Sequence, residues 1–558
     1  MSATAEPTTA PQLPEVITSE VREPRTTHKW VDWFLTVDHK QVGVLYIVSA
    51  LVFFFLGGTE ALLMRLQLGV ANNSLITPDA YNQLFTMHGT TMLFLFLAPV
   101  ITGLASYLVP LMIGARAVAF PRLNALSYWL FLAGGITLYA TLFFTPPSAG
   151  WTSYPPLSGS VYSPSNGQDA WIFLFILTGV ASILSAITMI ATIITMRAPG
   201  LEWNRLPVFC WTIVAHALLI IIALPVAIGA SVMLLTDRHF GTAFFDATAG
   251  GSPLLWQQLF WFYGQPQLYV LLLPVFGVIS EILPVFTGRK LFGYKAIVRS
   301  IFAIAALSLV TWGAHLFTVP GSSVVNSIFM IGSLLIAVPI AVLVLNWLAT
   351  ISGASVKLDS PFLYAIGCVA LFVGGAIAGL LLAIFPVAWQ LDDSYFQVAQ
   401  FHDVIVGGGV FGVLAALHYW FPKISGRMLN ENIAKAAFGL VFVSFLITFL
   451  VQYSLGLDGM PRRIYEYGTA TGWQTENMIS TIGSFLLGIG LILVAANFIR
   501  SVSAGAKAGP DPWGGNTLEW FSPSPPPANN FDVIPAVDSA EPMRDIRAAV
   551  ASSSNSQG

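Results

Sequence analysis

Charge is what this chain has least of. Only 9% of its 558 residues are Asp, Glu, Lys or Arg, against 56% hydrophobic. That excludes a water-soluble globule, in which about a quarter of the residues are charged. The formal net charge of −3 leaves nothing to attract nucleic acid or an anionic surface, so no nucleic-acid partner is expected. Cysteine is scarce as well: Cys210 and Cys368 both fall in apolar runs and supply neither a disulfide framework nor a metal-binding pattern. The first 40 residues hold no hydrophobic run, so no cleavable signal peptide is expected and the first apolar segment serves as an uncleaved anchor. No internal repeat stands out.

What the chain does have is apolar length. Runs of about 20 residues or more, each enough to cross a bilayer as a helix, recur twelve times, centred near Val52, Phe96, Gly135, Ala181, Ile221, Leu271, Ala306, Ala337, Gly374, Val410, Phe445 and Gly488. The expected fold is an all-α polytopic membrane protein. An even number of spans puts both termini on one side. Placing them in the cytoplasm leaves only Arg65, Arg238, Arg462 and Arg463, of 24 Lys and Arg, outside, the asymmetry typical of short cytoplasmic loops. Residues 1–40 then read as a cytoplasmic tail, 41–500 as the membrane domain in contact with lipid, and 501–558 as a Pro- and Ser-rich, weakly structured cytoplasmic tail.

Within that membrane domain two histidines are placed alike. His88 and His402 lie in spans that both run from outside to inside, each one to two turns after entry. Imidazoles at membrane depth are costly and mark function, and two of them facing each other from neighbouring helices give an iron porphyrin two axial nitrogens and a low-spin state suited to electron transfer. The competing reading is a pair of histidines bonded to backbone carbonyls at helix interfaces; the shared depth favours ligation. One low-spin haem, of a or b type, is therefore expected. Its propionates need cations at the outer boundary, where Arg65, Arg462 and Arg463 stand; guanidinium groups suit carboxylates by their forked geometry.

These residues, together with Asp38-His39-Lys40, Tyr107 to Gly114, Phe120-Pro121-Arg122, Thr236-Asp237-Arg238, Trp256 to Tyr269, Phe292-Gly293-Tyr294, Trp347 to Thr350, Gly459 to Arg463 and Asp511 to Trp520, resemble the haem–copper oxidases, specifically subunit I of cytochrome c oxidase. The resemblance covers nearly the whole chain and implies a twelve-helix subunit I-like bundle in a bacterial plasma membrane. It implies His88 and His402 as the axial ligands of the low-spin haem, Arg65 at its periphery and Arg462 with Arg463 on its propionates. The expected partners are subunit II- and III-like chains and a cytochrome c or copper-protein donor.

The same resemblance exposes a pattern of losses. Where the family carries the histidine of its high-spin haem, this chain has Gln400, two residues before His402; residues two apart point to nearly opposite helix faces, so one face is kept and the other lost. Of the three copper-binding histidines, two positions hold Gln265 and Ala314, and only His315 survives. A lone imidazole does not hold copper, and a Gln amide is a poor replacement. Tyr269, at the position of the family's cross-linked tyrosine, has no histidine beside which to be cross-linked and is expected as an interface tyrosine. The proton-path positions hold Gln267, Ala117 and Leu343, and the outer magnesium motif has become Asp392-Asp393, a candidate cation site. Copper and a second haem are expected to be absent, and the vacated space to be filled by rearranged helices, lipid or water. His28, His39, His239 and His418 are expected to be structural, and His216 to be an interhelical polar contact.

The resulting expectation is a respiratory membrane haem protein that keeps a bis-histidine haem without its own oxygen-reducing centre or proton channels. Three alternatives stay open: an active oxidase with atypical ligands, a haem-free scaffold or assembly subunit, and a solute channel.

Overall fold

A computed structural model describes residues 29–319, 322–535 and 537–555; residues 1–28, most of the N-terminal tail and with it His28, lie outside the described residues. Contacts divide the chain at residue 36. The short N-terminal unit contributes one described helix, Lys29–Phe34.

The second unit is helical throughout its membrane part. Eleven helices are long and apolar enough to cross a bilayer: His39–Gln67, Pro78–Met112, Pro121–Phe143, Asn166–Thr195, Val208–His239, Pro253–Thr287, Ser323–Ile351, Ser360–Leu382, Tyr395–Ser425, Glu431–Leu457 and Gln474–Ala504. The remaining run, centred on Ala306, forms the 17-residue helix Tyr294–Val310, which continues as a 3₁₀ turn, Trp312–Leu316. At 1.5 Å per residue it rises about 25 Å, a little less than the hydrocarbon core. The helices are counted below as spans 1 to 12 in chain order.

Burial separates the inner spans from the outer ones. In their most apolar windows span 2 is 89% buried, span 6 83% and span 10 94%, whereas the others among the eleven run from 17% to 56%. These three inner spans carry His88, the Gln265 to Tyr269 stretch and His402. Small residues let neighbours approach: a Cβ on Gly43 would sit 2.7 Å from the Gly103 carbonyl oxygen, and one on Gly103 2.8 Å from that of Gly43, so spans 1 and 2 cross backbone to backbone. Spans 2 and 10 share a further feature, a π-helical stretch within one turn after the histidine, Thr91–Leu97 in one and Asp403–Val410 in the other. Such stretches break the ordinary 3.6-residue register and recur at functional sites.

The C-terminal stretch corrects one expectation. Instead of a weakly structured tail, the residues after span 12 pack over the helix ends at the start of span 1 and the end of span 10. Trp520 and Glu519 are buried, Trp513 donates its indole N–H to the Tyr419 carbonyl, and Lys423 Nζ donates to the Ser522 and Pro510 carbonyls. Asn530 reaches back to the imidazole of His39 at the start of span 1 and donates to the Ala115 carbonyl. The average Pro and Ser content hid these few aromatic and amide anchors, and they supply the burial that ordering a polar segment requires.

Candidate functional site

The two histidines come together. His88 and His402 have ring centres 6.4 Å apart and ring planes 12° apart. Two metal–nitrogen bonds of about 2 Å each, with each nitrogen set in from its ring centre, call for centres about 6 Å apart. Each ring is fixed from behind: His88 Nδ1–H donates to the Gly57 carbonyl at 2.8 Å and His402 Nδ1–H to the Val398 carbonyl at 2.7 Å. That leaves Nε2 as the metal-binding nitrogen of both, the arrangement in which a second hydrogen bond sets tautomer and orientation. Phe449 lies against the His402 ring at 4.6 Å.

Both histidines line a cavity of about 1180 Å³, larger than the roughly 300–1,000 Å³ of ordinary small-molecule sites. Arg65, Asp392, Asp393, Arg462 and Arg463 line it too. Arg65 is buried; its Nη2 donates to Asn477 and Thr481, while its buried Nε and Nη1 have no partner. A buried guanidinium that lines a porphyrin-sized space beside Tyr395 fits an anionic or carbonyl substituent there. Arg462 pairs with Asp393 at 2.6 Å. Arg463 has φ of 66°, a left-handed conformation uncommon for a side chain this bulky; its burial and the adjacent Arg462 push its pKa down to about 10, and it caps the Phe85 ring at 5.6 Å. The residues present therefore fit one bis-imidazole haem with cationic contacts at its outer edge.

Asp393 is taken up by Arg462, and burial raises the Asp392 carboxyl pKa against the opposing pull of Arg462. Among the described residues no three His, Cys, Asp or Glu side chains gather as a metal site.

The cavity continues past the histidine pair to Gln265, Gln267, Tyr269, Ala314, His315 and Gln400, all of which line it. Here the residues do not fit a high-spin haem and copper. His315 donates from Nε2 to the Gln265 side-chain oxygen at 2.6 Å and lies flat on Trp261 at 3.7 Å. The Gln265 amide in turn leans toward Thr311. Gln400 makes one long contact with the Gly375 carbonyl, 3.4 Å, and buried Gln267 leaves its Nε2 unpartnered. The cavity extends over these positions. None of the substitutions adds the bulk to fill it, and the surrounding spans are held by contacts elsewhere. Leu343 is buried in span 8, and Ala117 is half-buried in the turn after span 2; neither can carry a proton.

With this geometry in hand, known proteins give a direct comparison. The family model described as cytochrome c and quinol oxidase polypeptide I matches residues 41–486. The chain belongs to that family. It is 44% identical to cytochrome c oxidase subunit 1 of Bacillus subtilis (strain 168), over 92% of this chain and 82% of that protein. It is 42% identical to cytochrome c oxidase subunit 1 of Thermostichus vulcanus, over 94% of this chain and 95% of that one. The fold is shared with a haem–copper terminal oxidase dimer solved by cryo-EM, with a TM-score of 0.73 at 18% identity, covering 84% of this chain and 85% of that one. This oxidase subunit I-like chain is thus a multi-pass membrane protein, as its sequence implied.

Among the described residues, the other histidines bond within the protein, and the interhelical contact expected of His216 gains its partner. His216 Nδ1–H donates to the Val270 carbonyl, linking spans 5 and 6 at 2.7 Å. His418 donates to the Leu414 carbonyl, and His239 contacts Asp169, which also holds Arg238 at 2.7 Å. Sequence reasoning missed Glu60, a buried carboxylate of span 1 that accepts from the Tyr139 hydroxyl at 3.1 Å. The signal was present: it is the only acidic residue within the 29-residue span 1, and such residues are functional candidates by default.

Proposed function

We propose that this chain is the electron-carrying subunit of a respiratory oxidase-type complex, with one low-spin haem between His88 and His402 and no oxygen-reducing haem–copper centre or proton channel of its own. The observation that carries the reading is the contrast along one cavity: two imidazoles 6.4 Å apart with backbone-fixed tautomers at one end, and at the other a single imidazole already occupied by Gln265 and Trp261.

The haem, when bound, supplies a one-electron iron couple. The Gly57 and Val398 carbonyls orient the two ligands, and Arg65 and Arg463 offer cationic contacts. An electron enters from the outer face, from a cytochrome c or copper-protein donor, and the chain works beside subunit II- and III-like partners in a bacterial plasma membrane. The cytochrome c donor and the existence of further subunits take their support from the name, cytochrome c oxidase subunit 1, of relatives more than two-fifths identical. With Gln267, Ala117 and Leu343 non-ionisable, no residue at the family's proton-path positions takes or gives a proton.

A second reading, an active oxidase with atypical ligands, is favoured by the oxidase names of those relatives and by the open cavity. Counting haem and copper per purified chain, with oxygen uptake measured under reduced cytochrome c, separates the two. The proposal expects one haem, no copper and no uptake; two haems or stoichiometric copper overturn it.

A further inference from the structure

Glu60 is more than nine-tenths buried in a membrane span and is not used by anything above. Its Oε1 accepts from Tyr139, and its Oε2, also buried, has no partner. The surroundings tie it to the candidate haem ligand from two directions. On span 1, Gly57 stands one turn before Glu60, and its carbonyl holds His88 Nδ1–H. On span 2, Thr91 stands three residues after His88, and its hydroxyl meets the Tyr139 hydroxyl at 2.9 Å. Glu60, Tyr139 and Thr91 thus form one hydrogen-bonded chain that closes around the helical turns bearing His88 and its backbone acceptor.

Little else charged reaches this level. Spans 2, 3 and 12 pack against span 1; their charged residues, Asp79, Arg122, Glu476 and Arg500, all sit near span ends. Arg65, on span 1 itself, is engaged by Asn477 and Thr481. On the packed spans the titratable group in contact with Glu60 is Tyr139, and His88 is joined to the same turn of span 1 through the Gly57 carbonyl. A carboxyl with one orphaned oxygen in such a place has no ion pair to fix its protonation state, so its state follows the nearest charge that changes.

We propose that Glu60 is the proton acceptor linked to reduction at the His88–His402 site. When one electron arrives from the outer-face donor, the site loses a unit of positive charge. The Glu60 carboxylate then takes one proton from outer water onto its free oxygen, and reoxidation releases it. Linkage makes this reciprocal: protonated Glu60 favours the reduced site and ionised Glu60 the oxidised one. Tyr139 is a positioning residue that holds the carboxyl in place. The inference rests on the haem reading of the previous section.

The test uses the full-length purified protein and redox titration followed optically from pH 5 to 9. The expected result is a midpoint that falls as pH rises, toward the limit of about 59 mV for each tenfold change in proton activity. Glu60→Gln keeps the acceptor for Tyr139 but should remove that slope. Tyr139→Phe should keep a slope with a shifted inflection. Infrared difference spectra should show a carboxylic C=O band on reduction that is absent in Glu60→Gln. A flat wild-type profile, or a slope and band that survive in Glu60→Gln, overturns the inference. Absence of any haem spectrum would instead sink the haem reading, so the two failures are distinguishable.

Discussion

His88 and His402 stand with their imidazole planes only 12° apart and their ring centres 6.4 Å apart, although 314 positions separate them in the chain. Neither residue reaches this arrangement alone. Gly57 and Val398 hold the outer nitrogens, and the π-helical stretches that follow each histidine set the register of the turns that carry them.

Removing one ligand should change the chemistry rather than merely weaken it. His402→Ala frees one axial position, so the haem that remains should become five-coordinate and bind carbon monoxide, with reduced haem content. A visible spectrum of the reduced variant with and without carbon monoxide checks this; an unchanged six-coordinate spectrum would mean that His402 is not a ligand.

Arg65 makes a prediction about potential. A buried cation favours the electron-rich form of a nearby couple, and at an effective dielectric of about 20 one charge contributes on the order of 1–2 kcal/mol, or roughly 40–90 mV for one electron. Arg65→Met should lower the midpoint by that amount. Optical redox titration reads it, and an unchanged or raised midpoint would remove Arg65 from the haem edge.

The C-terminal cap has its own pH dependence. Burial raises the Glu519 pKa above its ordinary 4.5, opposed by hydrogen bonds from Thr517 and Trp420 and by Lys423. The folded carboxyl therefore binds a proton at pH values where the unfolded chain has released it, so stability is greatest below 4.5 and falls as pH rises through the folded value. Glu519→Gln lacks this term. Its thermal inactivation midpoint should exceed that of the wild type at neutral pH and vary less with pH; equal profiles would contradict the assignment.

The span pattern was legible because membrane helices announce themselves by apolar length alone, and His88, His402 and the outer arginines were legible because polar groups stand out against that background. The C-terminal packing was not. Its anchors, Trp513, Trp520 and Asn530, are single residues in a stretch whose average composition reads as a tail, and their partners His39, Tyr419 and Lys423 lie from about 90 to nearly 500 positions away. Glu60 was visible as a lone acid, but its meaning depends on Tyr139 and Thr91 arriving from other spans. The extent of the cavity was illegible for a different reason: the residue types at Gln265, Ala314 and Gln400 do not say how far apart the helices that carry them stand.

The central claim is that one six-coordinate haem site remains and the second centre does not. A carbon monoxide difference spectrum of the reduced, purified protein tests it most directly, because carbon monoxide needs an open iron position. The account predicts a haem spectrum that carbon monoxide leaves unchanged. A carbon monoxide shift in the wild-type protein would contradict it and place a working high-spin haem beside Gln400 and His315.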